Sequence, residues 1–284
     1  MHLLRVLACG FVLWLIAAAS APAQETSMMP VTIDGRQVRL ATKIYKPAGD
    51  GPFPTLIFHH GSTGTGRNPA IFDRFFDPVP LSQWFVQRGW AVALPSRRGR
   101  GGSEGYYDEG FHIPREAGYS CEPSLSLPGA ERALRDIDAA TDAILALPFV
   151  DRSRVVVGGQ SRGGILAVAW AGRQPDKIRA VINFVGGWMG TSCNTASTIN
   201  TELFAKGVAF RADTLWLYGE NDPYYQLSHS RGNFAAFQAA GGKGAFHEFA
   251  PPQGRDGHSI VFFPNLWAEP VSAYLKSRGL PIGP

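Results

Sequence analysis

Short, almost wholly apolar runs bounded by glycine and proline alternate along this chain with longer stretches of helical period. Residues 55–58, 91–94, 155–157, 180–185 and 214–218 are such runs. Their length and composition are those of strands buried on both faces of a parallel sheet. Residues 38–45 alternate instead between apolar and polar and end at Lys46-Pro47, before the turn residues Gly49-Asp50-Gly51-Pro52. That pattern predicts an early antiparallel strand. Helical patterns fall in between, at 81–89, 129–147, 164–171, 228–240 and 266–276, and a last strand is expected near 245–249. The longest places Ala133, Leu134, Ile137, Ala140 and Ile144 on one stripe and stops at Pro148. Strands alternating with helices imply right-handed crossovers and an α/β fold, a mostly parallel sheet with helices on both faces. Active sites of such sheets lie at the carboxyl ends of the strands.

Composition narrows the class. With 284 residues, 45% apolar and 18% charged, the chain is neither fibrous nor disordered, and residues 24–284 suit one large domain. Residues 1–23 carry Arg5, an apolar run and then Ala21-Pro22-Ala23, the order of a secretory signal cleaved after Ala21 or Ala23. The apolar run is shorter than the roughly 20 residues that span a bilayer. The mature protein is therefore expected to be secreted or periplasmic, with no stable membrane insertion after signal removal. Cys121 and Cys193 then remain, and in an exported chain they are expected to form a disulfide. No Cys/His cluster has metal spacing, so neither metal nor other cofactor is expected. The net charge of +4 is scattered apart from Arg97-Arg98-Gly99-Arg100, which argues against a nucleic-acid partner. Nothing in the pattern fixes an oligomeric state.

The chemistry lies at strand ends. Gly159-Gln160-Ser161-Arg162-Gly163 follows the run at 155–157, and a serine with glycine two positions away on each side suits the sharp strand-to-helix turn of a nucleophile elbow. Asp222 follows the run at 214–218, and His258 follows the last strand. The order Ser161, Asp222, His258 is that of the α/β-hydrolases, with the histidine as general base and the aspartate orienting it. Glu220 and Asp256 are the alternatives to Asp222. An oxyanion would be met by the backbone N–H of Arg162 and by a second from the loop after 55–58, with Ser62 as donor or Gly61 in its place. His59 and His60 read as packing and loop-shaping residues.

His-His-Gly-Ser at 59–62, Arg-Arg-Gly-Arg-Gly-Gly-Ser-Glu-Gly at 97–105, Gly-Gln-Ser-Arg-Gly at 159–163, Gly-Glu-Asn-Asp-Pro at 219–223 and Gly-His at 257–258 together resemble an α/β-hydrolase of the dienelactone-hydrolase-like group. They are also similar to the catalytic domains of prolyl-oligopeptidase-type peptidases. The resemblance covers roughly residues 38–275. It implies an eight-stranded sheet and a serine hydrolase that cleaves a carboxyl ester or related acyl bond of a small molecule through an acyl-enzyme, with Ser161, Asp222 and His258 matched to the family's triad. Dienelactone hydrolases proper use cysteine as nucleophile, so lactone chemistry does not carry over. A peptidase or amidase of prolyl-oligopeptidase type is the alternative, and a non-catalytic binding protein on the same scaffold a third. Residues 104–127 form a long aromatic connection expected to act as a rim or lid. His60, Trp188, Tyr224 and Tyr107 are candidate pocket residues. Arg162 and Arg97 are candidates for favouring an anionic substrate, unless a salt bridge holds Arg162 away from it.

Overall fold

The computed structural model describes residues 23–283. The expected signal segment falls almost wholly outside these residues. Eight strands form one sheet: β1 (Ala23–Ile33), β2 (Arg36–Lys46), β3 (Phe53–His59), β4 (Ala91–Pro95), β5 (Val150–Gln160), β6 (Ala180–Phe184), β7 (Thr214–Gly219) and β8 (Gly244–Phe249). Their spatial order is β1-β2-β4-β3-β5-β6-β7-β8. Only β2 runs against the rest, pairing antiparallel with both β1 and β4, while all other pairs are parallel. The sheet is the open, mostly parallel one of the α/β-hydrolase fold.

Among the described residues five α-helices connect strands, α1 (Val79–Val86), α2 (Pro123–Leu145), α3 (Arg162–Arg173), α4 (Ala196–Ala205) and α5 (Leu227–Ala239), and α6 (Pro264–Ser277) follows β8. Alternation along β6 shows how they are layered. Phe184 packs edge-on against Trp267 of α6, whereas a Cβ on Gly164 of α3 would meet the side chain of the preceding residue, Asn183. Successive side chains of a strand point to opposite faces, so α3 and α6 cover opposite sides of the sheet. Helix α3 packs against α2 and α4, and α1 against α6. Strands β4 and β6 are buried along their whole length, as runs broken only by Asn183 of β6 require.

Three elements depart from the sequence reading. Strand β1 was not foreseen, because Pro30 and the polar Gln24, Glu25, Thr26 and Ser27 mask its pattern; it pairs over its full length with β2. Helix α4 was also missed. Helix α2 begins six residues earlier than expected, with Pro123 in its first turn where a missing N–H costs nothing. The long connection therefore ends at Glu122, and residues 123–127 belong to a helix.

Candidate active site

Ser161 sits between β5 and α3 with φ 59° and ψ −124°, a conformation that L-residues with a side chain rarely adopt. The flanking glycines make the turn sterically feasible. A Cβ on Gly159 would lie 2.3 Å from the Gly163 backbone, and one on Gly163 would lie 2.0 Å from the His59 carbonyl oxygen. Both obstacles are backbone, so neither can swing aside. Val185 (φ 43°), just after β6, and Asn221 (φ 56°), just after β7, are likewise left-handed at the same edge of the sheet.

Asn221 turns the chain so that Asp222 points inward. One carboxylate oxygen accepts from the backbone N–H groups of Tyr224 (2.8 Å) and Tyr225 (3.0 Å), and the other meets His258 Nδ1 at 2.9 Å. The Asp222 side chain is fully buried, while the imidazole keeps a partly open face. With Nδ1 engaged, Nε2 is the nitrogen left for proton transfer. Gln160 Nε2 donates to the His258 carbonyl at 3.1 Å, and the rings of Tyr224 and Tyr225 flank the imidazole at 4.7 and 5.6 Å. The rival carboxylates Glu220 and Asp256 are exposed to solvent. The Tyr225 phenol, which lines the same cavity as Ser161, donates to the Gly187 carbonyl at 2.6 Å. Ser161 and His258 line one cavity of about 560 Å³, shared with Ser62, Arg67, His112, Tyr119, Gln160, Trp188, Met189 and Tyr224.

The loop after β3 is set by a buried charge cluster that sequence inspection did not reveal. The Gly61 carbonyl accepts from His60 Nδ1 at 2.8 Å, and Arg97 Nη2 and Arg100 Nη1 approach it at 3.4 and 3.5 Å. In a trans peptide the C=O and the following N–H point opposite ways, so this pull turns the Ser62 N–H away from the cations. Gly61 itself lies against the serine, since a Cβ there would be 2.9 Å from Ser161 Cβ. His60 Nε2 in turn accepts from the Arg97 backbone N–H at 3.0 Å. Burial, with Arg97 and Arg100 adding to it, pushes the His60 pKa well below the usual range. The ring is therefore neutral, as an accepting Nε2 requires. His59, also buried near Arg97, is lowered to about 3.

Glu109, from the connection between β4 and α2, is the one carboxylate in this cluster. It accepts from Arg97 Nε at 2.5 Å, from the Tyr107 hydroxyl at 2.9 Å and from Arg162 Nη1 at 3.3 Å; its backbone carbonyl accepts from the same Arg162 nitrogen at 2.9 Å. Burial alone would raise its pKa, but the charges of Arg97, Arg162 and Arg100 outweigh it and the pKa is lowered. The Arg162 guanidinium is sandwiched between the rings of Tyr119 and Trp188, 3.7 and 4.1 Å from their centroids.

These contacts revise three expectations. His60 and Tyr107 do not line the cavity; both are buried behind it in the cluster. Arg97 and Arg162 are committed to Glu109 and are not available to a substrate anion. Trp188 and Tyr224 do border the cavity, as does the Cys121–Cys193 disulfide, whose Cα atoms are 5.6 Å apart. The connection at 104–122 contributes His112, Ala117, Tyr119 and Cys121 to the cavity wall. Gln160, Arg67 and Met189 are cavity residues that sequence reasoning passed over. Gln160 was inside the elbow motif and could have been found there; Arg67 carried no signal.

Among the described residues no helix is long and apolar enough to cross a membrane. The family described as X-Pro dipeptidyl-peptidase (S15 family) matches residues 34–205. Cocaine esterase of Rhodococcus sp. (strain MB1 Bresler) is 32% identical over 146 residues, which are 50% of this chain and 23% of that protein. The chain thus matches about a quarter of that relative's length. Among solved structures, the esterase Pf2001 of Pyrococcus furiosus superposes with a TM-score of 0.59 at 15% identity, over 89% of this chain and 90% of that one. A Klebsiella pneumoniae protein described as a dienelactone hydrolase gives 0.57 at 18% identity, over 90% and 99%. At these identities the two structures speak for the fold.

Proposed function

The chain belongs to the X-Pro dipeptidyl-peptidase (S15) family of serine hydrolases, and from that premise we propose that it is an exported carboxyl-ester hydrolase acting through an acyl-enzyme on Ser161. The observation that carries this reading is the pairing of His258 Nδ1 with the buried Asp222 at 2.9 Å, beside a serine held on a strained elbow in the same cavity. For attack, the Ser161 hydroxyl gives its proton to His258 Nε2 as Oγ bonds to the ester carbonyl carbon. Asp222 holds the imidazole in the required tautomer and stabilises the imidazolium. The oxyanion is met by the backbone N–H of Arg162, at the start of α3, and by that of Ser62. His258 then protonates the departing alkoxide. Water, deprotonated by the same nitrogen, attacks the acyl carbon and releases the acid and the serine.

An ester is favoured over an X-Pro peptide by the cavity lining. An X-Pro dipeptide carries an ammonium at its N-terminus, and among the described residues no aspartate or glutamate lines the cavity to receive it. Export is supported by the N-terminal pattern and by a disulfide, which persists in oxidising compartments. The test is labelling by a fluorophosphonate and turnover of 4-nitrophenyl acetate, both expected to vanish in Ser161→Ala. Unchanged turnover in that variant ends the proposal. Hydrolysis of Gly-Pro-4-nitroanilide faster than of a matched ester would transfer the assignment to the peptidase activity that the family's description names.

A further inference from the structure

The charge of the cavity is one-sided. Its lining holds Arg67, Arg162, His112 and His258 and, among the described residues, no acid. Arg162 is ion-paired with Glu109, which it shares with Arg97. Arg67 is not: it is exposed at the cavity mouth, and among the described residues no carboxylate forms an ion pair with it. Asp73 and Glu116 line the neighbouring cavity that shares Arg67, yet neither is paired with it.

The position of Arg67 is built rather than incidental. Its Nε donates to the Ala117 carbonyl at 3.2 Å, and among the described residues the two Nη groups of the guanidinium fork have no protein partner. The Arg67 stem runs over Gly118, where a Cβ would come within 3.0 Å of Arg67 Cγ and 2.3 Å of the Thr65 carbonyl oxygen. Gly118 has φ 88°, and the next residue, Tyr119, donates its N–H to that same Thr65 oxygen at 3.0 Å. On the other side Gly66, at φ 77°, lies flat against the rings of Phe111 and Tyr119. The loop after β3 is thereby stitched to the 111–119 segment, and the guanidinium is presented at the rim of the cavity that holds Ser161. Thr65 and Ser192 line the same cavity.

We propose that Arg67 is the anion subsite of this cavity and that the preferred substrate is an ester bearing a carboxylate away from the scissile bond. This rests on the ester-hydrolase reading and names its substrate class. A guanidinium whose fork is free takes a carboxylate through two parallel N–H···O bonds. An uncharged ester gains nothing there, and a cationic one is repelled.

The test compares kcat/KM for anionic esters, 4-nitrophenyl hemiglutarate and 4-acetoxybenzoate, which carry the anion on the acyl and the alcohol side respectively; for their neutral counterparts, 4-nitrophenyl valerate and 4-acetoxybenzamide; and for 4-nitrophenyl 4-trimethylammoniobutyrate as the cation. The expected result is that at least one anionic ester is preferred over its neutral counterpart by about fivefold at low salt, the upper range for a partly exposed ion pair, and that 0.5 M NaCl shrinks the ratio. Arg67→Gln brings that ratio close to one, and Arg67→Lys restores part of it. Arg231→Gln, which removes an equal charge at an exposed site far along the chain, leaves the ratio as it was. A wild-type ratio near one, a ratio untouched by Arg67→Gln, or an equal loss in Arg231→Gln overturns the subsite while the ester reading stands. Turnover of Gly-Pro anilides with no ester hydrolysed at all removes the ester reading and the subsite together.

Discussion

Replacing Glu109 by glutamine removes one charge from a site where the balance is already tilted. The carboxylate is 2% exposed and faces Arg97 (3% exposed) and Arg162 (2%), with Arg100 buried close by. In the wild type three guanidinium groups share one carboxylate; in the variant they share none. An amide can still accept from one arginine, but its NH2 group then faces either Arg97 Nε or the donors on the Tyr107 and Arg162 side. Breaking a buried ion pair from one end costs about 3–5 kcal/mol, because the remaining charge stays desolvated. Taking about 4 kcal/mol and an unfolding entropy of about 0.6 kcal/mol/K for 284 residues, the melting temperature falls by about 7 °C.

The same change has a pH signature. The folded pKa of Glu109 lies below its unfolded value, so its contribution is complete above the ordinary glutamate pKa of about 4.3 and is lost as pH falls through the lower folded value. Thermal melts of wild type and Glu109→Gln should therefore stay separated by a constant gap from about pH 8 to 5 and converge only below about pH 4. A double-mutant cycle with Arg162→Met locates the loss: the two changes should be strongly non-additive, since the second removes a charge the first left unpaired. A destabilisation under about 1 kcal/mol, or strict additivity, would refute the idea that this carboxylate balances the cations behind the elbow.

Three further outcomes follow from single contacts. Gly163→Ala should yield little folded or active protein, as measured by circular dichroism and ester turnover, because the new methyl lies 2.0 Å from a backbone oxygen. Asp222→Asn should keep its fold and its melting temperature within a few degrees but lose about 10⁴-fold in kcat, the effect of offering the base the wrong tautomer. Converting Cys121 and Cys193 to serine together opens a loop with a sequence separation of 72 and should cost about 4 kcal/mol in denaturant titration, whereas a difference near zero would show that the bond does not constrain the unfolded chain.

Local rules carried the fold because each core strand announces itself within five or six residues. Runs such as Ala91–Pro95 and Ala180–Phe184 are buried on both faces and, apart from Asn183, wholly apolar, and no amphipathic surface strand has that composition. Strand β1 escaped because an edge strand needs only one apolar face: Met29, Val31 and Ile33 are buried, while the intervening Pro30 and Thr32 are exposed. The elbow was equally legible, since its two glycines are demanded by clashes within the motif and with the neighbouring strand end. Asp222 and His258 could be placed at strand ends from order alone, with Asp222 preferred to Glu220; the turn at Asn221 buries the Asp222 carboxylate and leaves that of Glu220 in water.

The charge cluster could not have been read in the same way, and the reason is one of distance along the chain. Glu109 meets Arg97 across 12 residues and Arg162 across 53, and Arg97 meets the His60 carbonyl across 37. No periodicity links such positions, and each arginine taken singly resembles a solvated surface charge. Their convergence nonetheless joins features that the motifs present as separate. The Arg162 backbone N–H and the Ser62 N–H come from segments on different strands, and the side chain of Arg162 and the carbonyl of Gly61 are both bound within the same buried group. Displacing Glu109 would therefore disturb both amides at once. That coupling distinguishes a structural anchor behind the elbow from a residue that merely stabilises the rim: in Glu109→Gln, kept well below its melting temperature, kcat should fall while KM for 4-nitrophenyl acetate changes little, because in the proposed mechanism the lost geometry bears on the oxyanion rather than on the bound ester. An unchanged kcat in a destabilised but folded variant would confine the cluster to holding the rim in place.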